Sequence, residues 1–309
     1  MSNYNEILNE LKDCTVCPRN CHANRFTSKL GYCKSDATFN IASIVSHHGE
    51  EPVISGENGI CNVFFTHCNL QCTYCQNYQI SRNTNKLLQY NLELSEVIEK
   101  ILSILDTGCD SVGFVSPSHF VPQVNIIINE LHKLGRYPTI VYNTNSYDKV
   151  DTLKQLEDLV DIYLADFKYI NSDIAEKYSD ASNYPEIASK AINEMYRQKG
   201  SSLILNEKKQ AESGLIIRHL VLPNNVENSI EIFRYIAEEI STNVYISLMS
   251  QYYPTIKVKN DTSINRTLTN DEYRKVVEAM QNYGFHNGWI QDFESQSFYL
   301  PDFNKERPF

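Results

Sequence analysis

From about residue 61 onward the chain alternates short apolar runs with amphipathic stretches. Residues 61–66 (CNVFFT), 111–116 (SVGFVS), 139–143 (TIVYN), 161–167 (DIYLADF) and 243–249 (NVYISLM) read as strands. Residues 95–107 carry Val97, Ile98, Ile101, Leu102 and Leu105 on one helical face, with Gly108 as a stop. Pro122 opens a second helix with Val124, Ile127, Ile128, Leu131 and Leu134 inward, closed by Gly135. Residues 149–159, 185–198 and 230–240 continue the helical pattern. Residues 201–222 read as a hairpin whose second arm is a further strand. The last helix has a clear start: Thr269 and Glu272 form a capping box, and Leu268 and Tyr273 a hydrophobic staple.

Six strands separated by helices imply a parallel sheet with helices packed outside. Six units fall short of the eight of a closed barrel, so the expected fold is α/β, a partial (β/α)6 TIM-like barrel. Functional groups are then expected at the C-terminal ends of the strands. Residues 1–60 read as loop-rich, which divides the chain into a Cys-rich N-terminal metal-binding segment (1–60) and a barrel (61–309). The aromatic-rich tail after Gly284 is expected to lie over the barrel.

Composition is that of a globular chain, 42% hydrophobic and 21% charged, and no apolar run approaches the ~18 residues of a membrane span. The polar start MSNYNEILNELKDC lacks a secretion signal, so a cytoplasmic location is expected and no membrane partner. A net charge of -10 argues against broad phosphate-backbone binding, hence no nucleic-acid partner. The nine cysteines change the picture most. An odd number, unevenly clustered, does not suit a disulfide framework and points to metal ligation. Cys61 and Cys109 stand apart on or beside strands and read as core residues.

Cys68, Cys72 and Cys75 follow a strand directly, in FFTHCNLQCTYCQN. A tight loop there can aim three thiolates at one point, and thiolates are the usual ligands of iron–sulfur clusters. Three ligands leave one iron open. The alternatives are one face of a helix with reduced thiols, or a zinc site completed by a group such as His67. CNLQCTYC fits the CxxxCxφC signature of radical S-adenosylmethionine (SAM) enzymes, with Tyr74 as the aromatic residue. The runs GEEPVISG, SPSHF, VYNTNSY, LADFKY, RHLVLP and SLMSQYYP extend the likeness. The chain thus resembles the pyruvate formate-lyase activating enzyme group, in its PflX-like branch, over most of residues 14–290.

The resemblance implies a 4Fe-4S cluster whose open iron binds the amine and carboxylate of SAM. Reductive cleavage then gives methionine and a 5′-deoxyadenosyl radical that takes hydrogen from substrate, an oxidoreductase chemistry. It implies an electron donor such as flavodoxin or ferredoxin. It places Tyr74 near the adenine and puts Asn77, Ser116, Asn143, Asp166, Lys168, Arg218, Met249 and Gln251 among the cofactor-binding positions. Where a Gly-Gly-Glu type turn usually meets the methionyl amine, this chain has Ser116, Pro117, Ser118 and His119. For each polar position the alternative is an ordinary group capping a barrel mouth, and for Asp166 a plain salt bridge to Lys168.

Cys14, Cys17, Cys21 and Cys33 form a second set, suited to a zinc site or to an auxiliary iron–sulfur cluster, with unligated thiols as the plain alternative. His47 and His48 read as loop or surface groups, although Glu50 and Glu51 nearby offer a substrate-facing alternative. Three functions compete. The first is a radical enzyme on a peptide or protein, for example a glycyl-radical activase. The second is a radical enzyme on a small metabolite. The third is a non-catalytic electron-transfer or metal-binding module, which three ligands disfavour because electron carriers usually saturate all four irons.

Overall fold

A computed structural model describes residues 4–85, 91–293, 300–305 and 307–309. Its strands are β1 (Phe39–His47), β2 (Ile60–Phe65), β3 (Asn91–Leu92), β4 (Ser111–Val115), β5 (Thr139–Thr144), β6 (Ile162–Asp166), β7 (Ile204–Leu205), β8 (Ala211–Leu220), β9 (Tyr245–Met249) and β10 (Gly288–Ile290). They form one sheet in the order β10-β9-β8-β6-β5-β4-β2-β1-β3, with β7 paired to β8. The pairs from β2 through β4, β5, β6 and β8 to β9 are parallel, as the alternation predicts. The sheet does not close on itself: the fold is a partial barrel.

Alternation within each strand builds the two larger of three buried clusters. Val63, Phe65, Val112, Phe114, Ile140, Tyr142, Tyr163, Leu215 and Ile217 share one core with helical residues such as Ile101, Leu131 and Ile232. Ile60, Val141, Ile162, Leu164 and Ile216 form a second, inside the barrel. Continuing the same face by two residues, the inner row turns polar: Asn62, Asn143, Asp166 and Arg218. Side chains on a strand alternate faces, so this change of character along one face separates a packed floor from a polar cleft.

The helices Leu94–Leu105, Val121–Lys133 and Tyr184–Lys199 match the predicted spans to within a few residues, and Thr269 and Glu272 make both bonds of their capping box. Two features differ from the sequence reading. The stretch read as loop-rich contains β1, nine residues that pair antiparallel with β2. Its alternation is weak because most of its side chains are only half buried. The aromatic tail does more than lie over the barrel: Phe303 packs on Phe64 and Val115 as expected, but Gly288–Ile290 extends the sheet as a parallel strand beside β9. A Cβ at Gly288 would meet the Ile246 carbonyl, so this close pairing needs glycine. Residues 294–299 of that tail lie outside the described residues.

Candidate active site

After β2 the chain runs through residues 66–77 without helix or strand, and only then makes the short helix Tyr78–Ser81. The three cysteines therefore sit on a loop and not along a helical face. The loop is tied down on several sides. Thr73 N donates to Tyr178 O (2.8 Å), Thr255 Oγ1 to Thr73 O (2.6 Å), and Cys68 N to Asn83 Oδ1 (3.2 Å).

Each sulfur has its own donor. Asn145 Nδ2 and Leu70 N lie 3.4 Å from Cys68 Sγ, Ser179 Oγ donates to Cys72 Sγ at 3.0 Å, and Ser81 Oγ to Cys75 Sγ at 3.3 Å. Burial pushes the Cys68 and Cys72 thiols up from their ordinary values, while the nearby Lys168 charge pulls both down. Buried thiolates are costly alone, and these donors together with a cationic cluster would offset that cost. Three buried or half-buried sulfurs, each with a donor and none in a disulfide, fit the ligand set of a cluster with one open iron.

The same three cysteines open onto a cleft of about 210 Å³ at the C-terminal ends of the strands. The structure brings Tyr74, Asn77, Ser116, Asn143, Asp166, Lys168, Arg218, Met249 and Gln251 together around it. Tyr74 is fixed by a 2.6 Å hydrogen bond between its hydroxyl and that of Tyr169. Ser116 holds φ +52° at the end of β4, where its N–H donates to Asn143 O at 2.8 Å. A left-handed serine costs of order 1 kcal/mol, a form of strain that clusters at functional sites.

Asp166 and Lys168 form the salt bridge that the sequence offered as the plain alternative, Nζ to Oδ2 at 2.6 Å. Burial pushes the Lys168 ammonium down, but Asp166 and Cys72 outweigh it, and the net shift is upward. Ser118 and His119, also at the end of β4, face elsewhere: Ser118 meets Thr144 Oγ1, and His119 Nε2 meets Thr66 O.

Sequence reasoning underweighted His47 and Glu50, both of which line the cleft. They arrive on β1 and the segment after it, which folds into the barrel and seals the floor with Ile54. Arg218 Nη1 donates to Glu50 Oε2 at 3.1 Å, and its Nε lies 3.3 Å from Glu51 Oε1 without hydrogen-bond alignment. Asn62 Nδ2 holds Glu50 Oε1 at 2.9 Å. A Cβ at Gly113 would sit 2.2 Å from Asn62 Oδ1, so the neighbouring strand leaves this side chain its room. Asn145, which bonds both Cys68 Sγ and Asn69 Oδ1, was not singled out either. The available signal was its position just beyond a strand end, in VYNTNSY.

An open parallel barrel with a three-cysteine loop after its first parallel strand and a polar cleft at the strand ends defines a radical-generating iron–sulfur enzyme class. Comparison with known proteins agrees: residues 62–206 match the radical SAM superfamily, and the chain belongs to it. An uncharacterized protein of Methanocaldococcus jannaschii, MJ0674, is 30% identical over 282 residues, covering 89% of this chain and 76% of that protein. Among solved structures, Streptococcus suis SuiB bound to its precursor peptide SuiA aligns with TM-score 0.51 and 13% identity over 77% of this chain. SuiB bound to SAM gives the same TM-score at 12% identity over 76% of this chain. The chain spans about half the length of SuiB, and at this identity the likeness is one of fold. Members of the superfamily carry a 4Fe-4S cluster and use SAM.

Proposed function

We propose that Cys68, Cys72 and Cys75 hold the 4Fe-4S cluster, that SAM lies in the cleft beside them, and that hydrogen is taken from a peptide or protein segment, as in a glycyl-radical activase of the pyruvate formate-lyase activating enzyme type. The observation that carries this reading is the convergence of the three sulfurs, Tyr74 and the polar strand ends on one cleft. When bound, the cluster supplies an open iron and a low-potential electron, and SAM the 5′-deoxyadenosyl group that takes the hydrogen.

The chain's own residues bind, orient and exclude water. Tyr74, held by Tyr169, offers a fixed aromatic face for the adenine. The Asp166–Lys168 pair sets charge of both signs beside the sulfurs, suited to an amine and a carboxylate. Asn77, Ser116, Asn143 and Gln251 supply polar contacts, while Phe64, Leu220 and Met249 provide apolar wall. Arg218 is committed to Glu50 and Glu51, so its contribution to the cofactor is through the charge and shape of the cleft.

The unclosed sheet supports a peptide or protein substrate, because a partial barrel leaves a lateral opening for a chain segment. The SuiB complex supports it too, since a protein of this fold was captured with a precursor peptide. The electron donor would be a flavodoxin or ferredoxin. No described helix is long and apolar enough to cross a membrane, and we place the enzyme in the cytoplasm. The N-terminal cysteines would form a second site, for zinc or for an auxiliary cluster.

The substrate class is tested by supplying reconstituted enzyme, SAM and reductant with deuterated cell extract separated by size. Deuterium in 5′-deoxyadenosine from the peptide and protein fraction alone supports the proposal. Deuterium from the small-molecule fraction alone favours the metabolite reading.

A further inference from the structure

The loop of Cys75 carries a second set of neighbours that do not line the cleft. Tyr78 N donates to Cys75 O at 3.2 Å, and the helix Tyr78–Ser81 leads directly to Arg82. The segment after β9 lies against the same loop: Gln76 Nε2 donates to Gln251 O at 2.9 Å, and Thr255 Oγ1 to Thr73 O at 2.6 Å. Thr255 precedes the short 3-10 helix Ile256–Val258, which buries Val258 and leaves Ile256 and Lys257 exposed. Tyr78 is 37% exposed and Ile256 63% exposed. Tyr78, Arg82, Ile256 and Lys257 are all absent from the lining of the cleft.

Charge on this surface is unbalanced. The Arg82 guanidinium carbon lies 5.3 Å from the centre of the Tyr78 ring, while its Nε and Nη2 are buried without a hydrogen-bond partner. The groups whose charge acts on Arg82 are Cys75 and Tyr78, and the one that acts on Lys257 is Arg82 itself; no carboxylate is among them. Burial lowers the pKa of Arg82 from its ordinary value, and burial and the Arg82 charge together lower that of Lys257. Other cations of this chain are paired, as Lys133 is with Glu130, Lys190 with Glu186 and Arg234 with Glu231. Two like charges brought together without a carboxylate, in a chain of net charge -10, are costly unless a partner completes them. Exposed apolar side chains beside such cations have the make-up of a protein interface.

We propose that Tyr78, Arg82, Ile256 and Lys257 form the docking surface for an acidic one-electron carrier protein, and that the electron enters past Cys75. The proposal rests on the assigned role of Cys68, Cys72 and Cys75. A substrate has to reach the cleft, which this surface does not line, whereas an electron donor needs only to come close to the sulfurs. The carrier supplies the carboxylates that Arg82 and Lys257 lack, and this local attraction works against the repulsion between two acidic proteins. In the docked pair the carrier loses one electron and the cluster on the three cysteines gains it. No bond is made or broken.

The whole chain is reconstituted anaerobically as wild type, as Lys257→Glu, as Arg82→Gln/Lys257→Glu and, for a control at an exposed turn, as Lys209→Glu. Lys257 is exposed, so the single variant carries the test where the double variant fails to fold. Formation of 5′-deoxyadenosine from SAM is driven in turn by dithionite, by reduced flavodoxin and by reduced ferredoxin. Carrier binding is measured separately by titration calorimetry. Dithionite rates should be the same in all four proteins. At limiting carrier the carrier-driven rate should fall about threefold in Lys257→Glu and about tenfold in the double variant, and carrier binding should weaken in step. High salt should close the gap, and Lys209→Glu should match the wild type. Carrier-driven rates and binding unchanged in Lys257→Glu would overturn the docking surface, as would a wild type driven by dithionite but by neither carrier. A wild type that makes no 5′-deoxyadenosine even with dithionite would instead sink the cluster assignment, and the docking surface with it.

Discussion

Replacing Arg218 by Met tests whether the barrel floor is organised by buried charge. Its side chain is 14% exposed, and those of Glu50 and Glu51 are 7% and 5% exposed. Methionine keeps much of the volume but removes the only cation paired with the two carboxylates among the described residues. Breaking a buried pair from one side costs about 3–5 kcal/mol, because the remaining charge stays desolvated. Here two carboxylates are stranded, so the upper half of that range is expected, or a fall in Tm of roughly 8–15 °C. Urea unfolding at pH 7 followed by circular dichroism measures it. A variant within about 1 kcal/mol of wild type at pH 7 would refute the reasoning.

Asp166→Asn removes the partner of Lys168 but keeps the shape. It should retain the iron of Cys68, Cys72 and Cys75, weaken SAM binding about tenfold and slow 5′-deoxyadenosine formation. Normal binding and cleavage with only a lower Tm would leave Asp166 as a structural ion pair. His219 is buried between Phe167 O and Ser229 Oγ, and burial pulls its pKa down to about 4. Its folded value lies below its unfolded one, so its contribution is full above about pH 6.5 and is lost as pH falls toward 4. Wild-type unfolding free energy should drop by a few kcal/mol over that window, and His219→Gln should flatten the slope; an unchanged slope would contradict this.

Much of the fold was legible because the strands β2, β4, β5, β6, β8 and β9 are apolar on both faces and the helices between them carry clean stripes. The same alternation made Asp166, Asn143 and Arg218 visible, each two residues beyond an inward apolar position. What escaped was held by long-range contact. β1 is half buried, and its pairing with β2 is not written in its own period. Glu50 looks like a loop carboxylate until Arg218, 168 positions away, reaches it. The salt bridge between Asp166 and Lys168 was readable as a possibility from spacing, but only the fold shows both groups beside the sulfurs. β10 is three residues long, too short for a periodic signal.

The central claim is that Cys68, Cys72 and Cys75 carry the cluster at which SAM is cleaved. Anaerobically reconstituted wild type, given SAM and dithionite, should form 5′-deoxyadenosine and methionine in equal amounts. The Cys68→Ala, Cys72→Ala and Cys75→Ala single variants should each form none above background, while retaining the wild-type circular dichroism spectrum. Undiminished 5′-deoxyadenosine from any of the three would contradict the account.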